Sequence, residues 1–249
     1  MRSTVRSFLF VFLAVSTYVM VGLAVGLPLG GRSTGYVSAM YPSAITPAGW
    51  AFSIWSLIYT GLGALAVWQA LPGGRANGQM AQAAPWLMGA MVANNAWLLA
   101  WHYLYLPASM VIILTYTYCM ARATDAFLIG GRPKGAAYWL GFGLCSLWAG
   151  WLTVATTANA TVLLLSLDFD GGAYTQTWGV VVLTMAFLIA WWLFSRWRSA
   201  FYFGTIAWAF GAIAANQPLY PSVQMTAFGL GGLALLLAAL QVARGRKQA

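Results

Sequence analysis

The residue types that ordinarily carry chemistry are scarce in this chain. Of 249 residues only Asp125, Asp168 and Asp170 are acidic, and His102 is the single histidine. A general base or an activated nucleophile needs a titratable partner within hydrogen-bond reach, so classical hydrolytic catalysis is disfavoured and no enzymatic activity is expected. One histidine cannot build a His-rich metal site or a bis-histidine haem within one chain. Cys119 and Cys145 lie far from any CxxC spacing and read as inert core thiols. Aromatic rings, by contrast, are abundant: 14 Trp, 12 Tyr and 13 Phe. Trp50 with Trp55, Trp97 with Trp101 and Trp148 with Trp151 are spaced so that each pair lies on or near one helical face. The amides Asn94, Asn95 and Asn159 accompany them. Flat rings and a few hydrogen-bonding groups can stack on and orient a planar ligand. Plain interhelical packing explains the same set equally well on physics alone.

The elements that position these residues follow from composition. The chain is 61% hydrophobic and only 6% charged, against roughly 25% charged in an ordinary soluble domain, which excludes a soluble fold. At ~1.5 Å per helical residue a bilayer core of ~30 Å takes about 20 apolar residues. Eight such runs are predicted: Ser7–Leu27, Ala48–Ala70, Pro85–Leu106, Ala108–Ile129, Ala137–Leu165, Trp178–Trp197, Ala200–Asn216 and Val223–Val242. Pro107 marks a tight turn between the third and fourth. The fold class is therefore an all-α polytopic membrane bundle of about eight helices. The run from Phe8 to Leu27 exceeds the usual ~7–15 residues of a signal core, so a retained first helix is expected.

Charge orients the bundle. Eleven of the twelve basic residues fall on one side of the eight-span arrangement, and only Arg32 falls on the other, which places both termini in the cytoplasm. So sparse a positive charge, +9 over the whole chain, excludes a nucleic-acid stripe. No ionisable residue lies at mid-span; Asp125 stands three residues after Arg122, at ion-pair spacing near the cytoplasmic end of span four. Proton- or sodium-driven transport and a retinal Schiff base are both disfavoured, since the only lysines are Lys134 and Lys247 in cytoplasmic segments. Trp86, Trp191, Trp192 and Trp197 suit an interfacial aromatic belt. His102 reads as an interfacial hydrogen-bonding residue, and Gly22 and Gly26 form a possible close-packing face.

Three stretches resemble the tryptophan-rich sensory protein and translocator protein family, TspO/MBR, which includes the peripheral benzodiazepine receptor. They are Pro47-Ala-Gly-Trp-Ala-Phe-Ser-Ile-Trp55-Ser-Leu-Ile-Tyr59 entering span two, Asn94-Asn-Ala-Trp97 on span three, and Trp151-Leu-Thr-Val-Ala155-Thr-Thr-Ala-Asn159 on span five. The resemblance covers about residues 7–165 and implies a five-helix membrane domain over 1–165, followed over 166–249 by three additional helices and a short basic tail. It implies a pocket for porphyrins, sterols and similar flat ligands, with Trp55, Asn94, Trp97, Trp151 and Ala155 lining it and Trp50 and Tyr59 in support. Asn159 is expected to brace span five.

The expectation is thus a multi-pass protein of the bacterial inner membrane that binds a flat hydrophobic ligand for sensing, regulation or transport. An uncoupled facilitator for a small neutral solute and a structural subunit of a membrane complex are the alternatives. No cofactor is obligatory, porphyrin or haem being possible as ligand. The partners expected are membrane lipid, the hydrophobic ligand and a possible homodimer, with no metal and no nucleic acid.

Overall fold

The computed structural model describes residues 3–27 and 29–246. Arg2 and Lys247, counted above among the cytoplasmic cations, lie outside the described residues. Among those described the chain forms ten α-helices and no strand: α1 (Ser3–Gly26), α2 (Thr34–Met40), α3 (Ile54–Ala70), α4 (Pro72–Ala76), α5 (Gly78–His102), α6 (Leu106–Ala126), α7 (Leu144–Leu165), α8 (Thr175–Trp197), α9 (Ala200–Asn216) and α10 (Pro221–Arg246). In lipid a helix satisfies every interior backbone group within its own segment. Among the described residues six segments are long and apolar enough to cross a membrane: Thr4–Gly26, Gly49–Ala70, Leu106–Ala126, Ala137–Leu165, Gly172–Trp197 and Pro221–Arg244. The protein is a polytopic helical membrane protein. The two remaining predicted spans are also helical: α9 is apolar but shorter, and α5 is long but carries the amides and His102.

Several boundaries shift from expectation, and those around the third helix have a clear cause. The third helix begins at Gly78 rather than Pro85, because the Asn77 side chain accepts from the Met80 N–H at 2.8 Å and caps the first turn. Pro85 is carried inside the helix. The turn that follows is made by Tyr103–Tyr105, with Leu104 in the left-handed region at φ 62°, so that Pro107 falls within the first turn of α6, where its missing N–H costs nothing. A π-helical stretch, Ala137–Gly143, leads into α7.

The chain divides into two compact units, Met1–Thr34 with Ile54–Ala149, and Gly35–Ser53 with Gly150–Ala249. In the first, α5 packs against α6 and α1, and α1 also packs on α3. Gly61 lets the Leu144 side chain approach α3, where an added Cβ would stand 2.5 Å from Leu144 Cδ1. Arg122 lies over the Trp86 ring, 5.2 Å from its centroid. Among the described residues Gly22 and Gly26 have nothing within 4 Å of an added Cβ, so neither packs closely against them. In the second unit α10 packs on α9 and α8. Trp191 and Trp192 are exposed as an aromatic belt requires, but Trp197 is buried against Tyr202, with ring centroids 5.2 Å apart. The cause is local: Arg198 closes α8 in the left-handed region at φ 47°, and the Ser199 side chain caps α9, a reversal that accompanies Trp197 folding beneath the next helix.

Candidate functional site

The first unit gathers Trp55, Tyr59, Asn94 and Trp97 into one cluster. Trp55 enters α3 one residue after the helix begins, and Tyr59 follows it by one turn. Their rings stack with centroids 5.4 Å apart and planes 13° from parallel. Trp55 also meets Trp97 at 6.2 Å, and Trp97 stacks on Trp101 one turn along α5 at 5.5 Å. The result is a continuous ladder, Tyr59–Trp55–Trp97–Trp101. Trp97, Trp101 and Tyr59 are buried, and Trp55 is half-exposed. At the far end the Trp101 indole N–H donates to the Thr34 carbonyl at 3.1 Å, and Thr34 Oγ1 lies 3.0 Å from His102 Nε2. His102 is thus a hydrogen-bonding residue, fully buried.

Asn94 is the polar centre of this cluster. Its Oδ1 accepts from the Tyr59 hydroxyl at 3.1 Å and from the Tyr116 hydroxyl of α6 at 3.0 Å, which uses both lone pairs of the carbonyl. The chain of contacts continues from Asn94 Nδ2 to Asn95 Oδ1 at 3.5 Å and from Asn95 Nδ2 to Ser16 Oγ of α1 at 3.0 Å. The Tyr18 hydroxyl donates to the Tyr59 carbonyl. One fully buried amide therefore ties α3, α5 and α6 together in a setting where unpaired polar groups are costly. Trp148 sets its edge against both tyrosines, at 6.5 Å from Tyr59 and 5.8 Å from Tyr116.

The second unit holds Trp50, Trp151 and Ala155. Trp50 packs edge-on against Trp208 of α9 at 4.7 Å, and the Trp208 N–H donates to the Ala51 carbonyl at 3.1 Å. Trp151 is buried and meets Phe52 at 5.9 Å; Ala155 is half-buried one turn beyond it. The segment carrying Trp50 is held from the end of α9 as well. Asn216 donates to the Thr46 carbonyl at 3.1 Å, and Gln217 donates to the carbonyls of Ser43 and Thr46 at 3.0 and 2.7 Å. Ala48 N–H adds a backbone bond to the Ala212 carbonyl at 3.0 Å.

A family model, TSPO-like protein, matches residues 7–240, a range that includes the Trp-bearing entry to α3, the Asn-x-x-Trp turn on α5 and the Trp on α7. The chain belongs to this family. No curated protein and no solved structure matches it. The family match runs on through α8, α9 and most of α10, well past the 7–165 over which the three motifs lie. In this TSPO-like chain the four residues of the first unit form one cluster, while Trp50 and Trp151 each have a partner of their own in the second. Sequence reasoning missed Tyr116 and Trp208. Trp208 stands alone in an apolar helix, and Tyr116 is one of two tyrosines close together on α6, neither of them set apart by local pattern.

Proposed function

We propose that this TSPO-like protein binds a flat hydrophobic ligand, of the porphyrin or sterol kind, against the aromatic ladder of its first unit, and acts on that ligand in sensing, regulation or transport. The observation that carries the reading is the ladder itself. Its half-buried member, Trp55, keeps part of its ring accessible between Tyr59 and Trp97, where a planar ligand can pack against the ladder's edge while the buried rings hold it in place. Trp50, Trp151 and Ala155 are assigned supporting roles through the loop entering α3 and through α7. The reading requires no acid–base group and no bound metal. It sets the protein in the inner membrane of a bacterium with both termini inside.

The test is a titration of the purified protein in detergent with protoporphyrin and, separately, with haem, following tryptophan quenching. Saturable quenching at about micromolar ligand is expected, an affinity of ~8 kcal/mol, weakened at least tenfold in a Trp55→Phe, Trp97→Phe double variant. A Trp151→Phe variant tests the second unit's share. Absence of saturable quenching, or equal affinity in the double variant, overturns the proposal.

A further inference from the structure

Near the start of α1, the end that the charge count assigns to the cytoplasm, a buried cation has no neutralising partner among the described residues. Arg6 is 7% exposed, and its guanidinium donates to the Arg75 carbonyl at 2.8 Å, while its Nε has no hydrogen-bond partner. Neighbouring Ser7 and Gln69 bond to each other's backbone, at 3.4 and 3.3 Å, and Gln69 Oε1 is likewise buried and unpartnered. Among the described residues no carboxylate is paired with Arg6. Arg75, four residues past the end of the groove described next, is exposed and adds a second cation. A buried charge is ordinarily paired, because leaving it uncompensated costs several kcal/mol.

Further along the same two helices runs an open apolar groove of about 410 Å³ between α1 and α3, bounded by Val11, Val15 and Tyr18 on one side and Ala66, Val67 and Leu71 on the other. The two helices are antiparallel, so Val11 and Leu71 lie at its cytoplasmic end, five residues after Arg6 and four before Arg75. From Val11 to Tyr18 it covers ~10 Å of helix axis, most of the ~15 Å depth of one leaflet's hydrocarbon. We infer that this groove and the Arg6–Arg75 pair form a seat for one anionic glycerophospholipid of the cytoplasmic leaflet, with an acyl chain between α1 and α3 and the phosphate against the arginines. The shape, the missing counter-charge and the leaflet coincide: anionic lipids populate that leaflet and are drawn to basic residues at its surface. This seat uses none of the four rings of the aromatic ladder, although Tyr18 at its inner end donates to the Tyr59 carbonyl.

The test is native mass spectrometry of the purified protein in detergent with equal amounts of phosphatidylglycerol and phosphatidylcholine. One phosphatidylglycerol retained in clear preference to phosphatidylcholine is the expected result. Arg75→Gln, an exposed change that leaves the core intact, should reduce that preference about fivefold, the effect of one cation beside an anionic surface; Arg6→Gln should reduce it further. Val67→Trp, which fills the groove, should weaken retention of both lipids. Equal retention of the two lipids by the unaltered protein overturns the inference. So does an unchanged preference in Arg75→Gln, or competition by glycerol phosphate, lacking acyl chains, as strong as that of the whole lipid.

Discussion

Asn94 concentrates several of the first unit's constraints in one side chain. Its carbonyl takes two hydroxyl donors from different helices, so the cost of losing it differs from the cost of losing either donor. Tyr116→Phe removes one bond and leaves Asn94 still paired with Tyr59; the expected loss is about 0.6 kcal/mol, the average for an interhelical hydrogen bond in a membrane protein. Asn94→Leu strands two buried hydroxyls and is expected to cost about 2 kcal/mol or more. Thermal unfolding of the three proteins in one detergent checks the ordering, and equal losses would show that the amide is not the shared acceptor. The importance of Asn94 was legible in the sequence, because an amide in an apolar span needs a partner. Its partners were not legible, since Tyr116 sits 22 positions away with no local mark of its role.

Among the helices, glycine separates positions that must stay small from positions that merely are small. In the second unit a Cβ on Gly150 of α7 would meet the Tyr202 carbonyl oxygen at 2.8 Å and Thr205 Cβ at 3.1 Å, both on α9. Neither atom is a flexible side-chain end, so α7 and α9 must move apart. Gly150→Ala is therefore expected to destabilise by about 1–3 kcal/mol, the usual cost of overpacking. Gly22→Ala, with open space around it, should be neutral or stabilise by up to ~1 kcal/mol through helix propensity. Thermal melts of both variants decide the matter, and a Gly150→Ala protein as stable as its parent would disprove the close approach. The sequence drew attention to Gly22 and Gly26 by their spacing, yet the crowded glycine is Gly150, which belongs to no spacing motif. Spacing reports which residues share a helix face; it does not report what faces them.

For the molecule as a whole, orientation is a matter of counting charge. If both termini are cytoplasmic, a cysteine at Lys134 faces inside and one at Tyr174 faces outside. Cys119 and Cys145 are buried and should contribute little background. A membrane-impermeant maleimide applied to intact cells is expected to label Tyr174→Cys and spare Lys134→Cys; the opposite pattern would invert the topology. The helical class and the approximate place of every long helix were determined by the sequence alone, because apolar run length is a one-dimensional property matched against a bilayer of known thickness. The family was legible too, in the three Trp and Asn motifs. Only the tertiary structure decided which ring meets which. It joined Trp55 to Trp97, set Trp50 on Trp208, and tied Ser43 and Thr46 to Gln217, some 170 positions away. It also showed Arg6 buried without a counter-charge among the described residues. Partners so distant are chosen by the packing of whole helices, and no local pattern of residues records that choice.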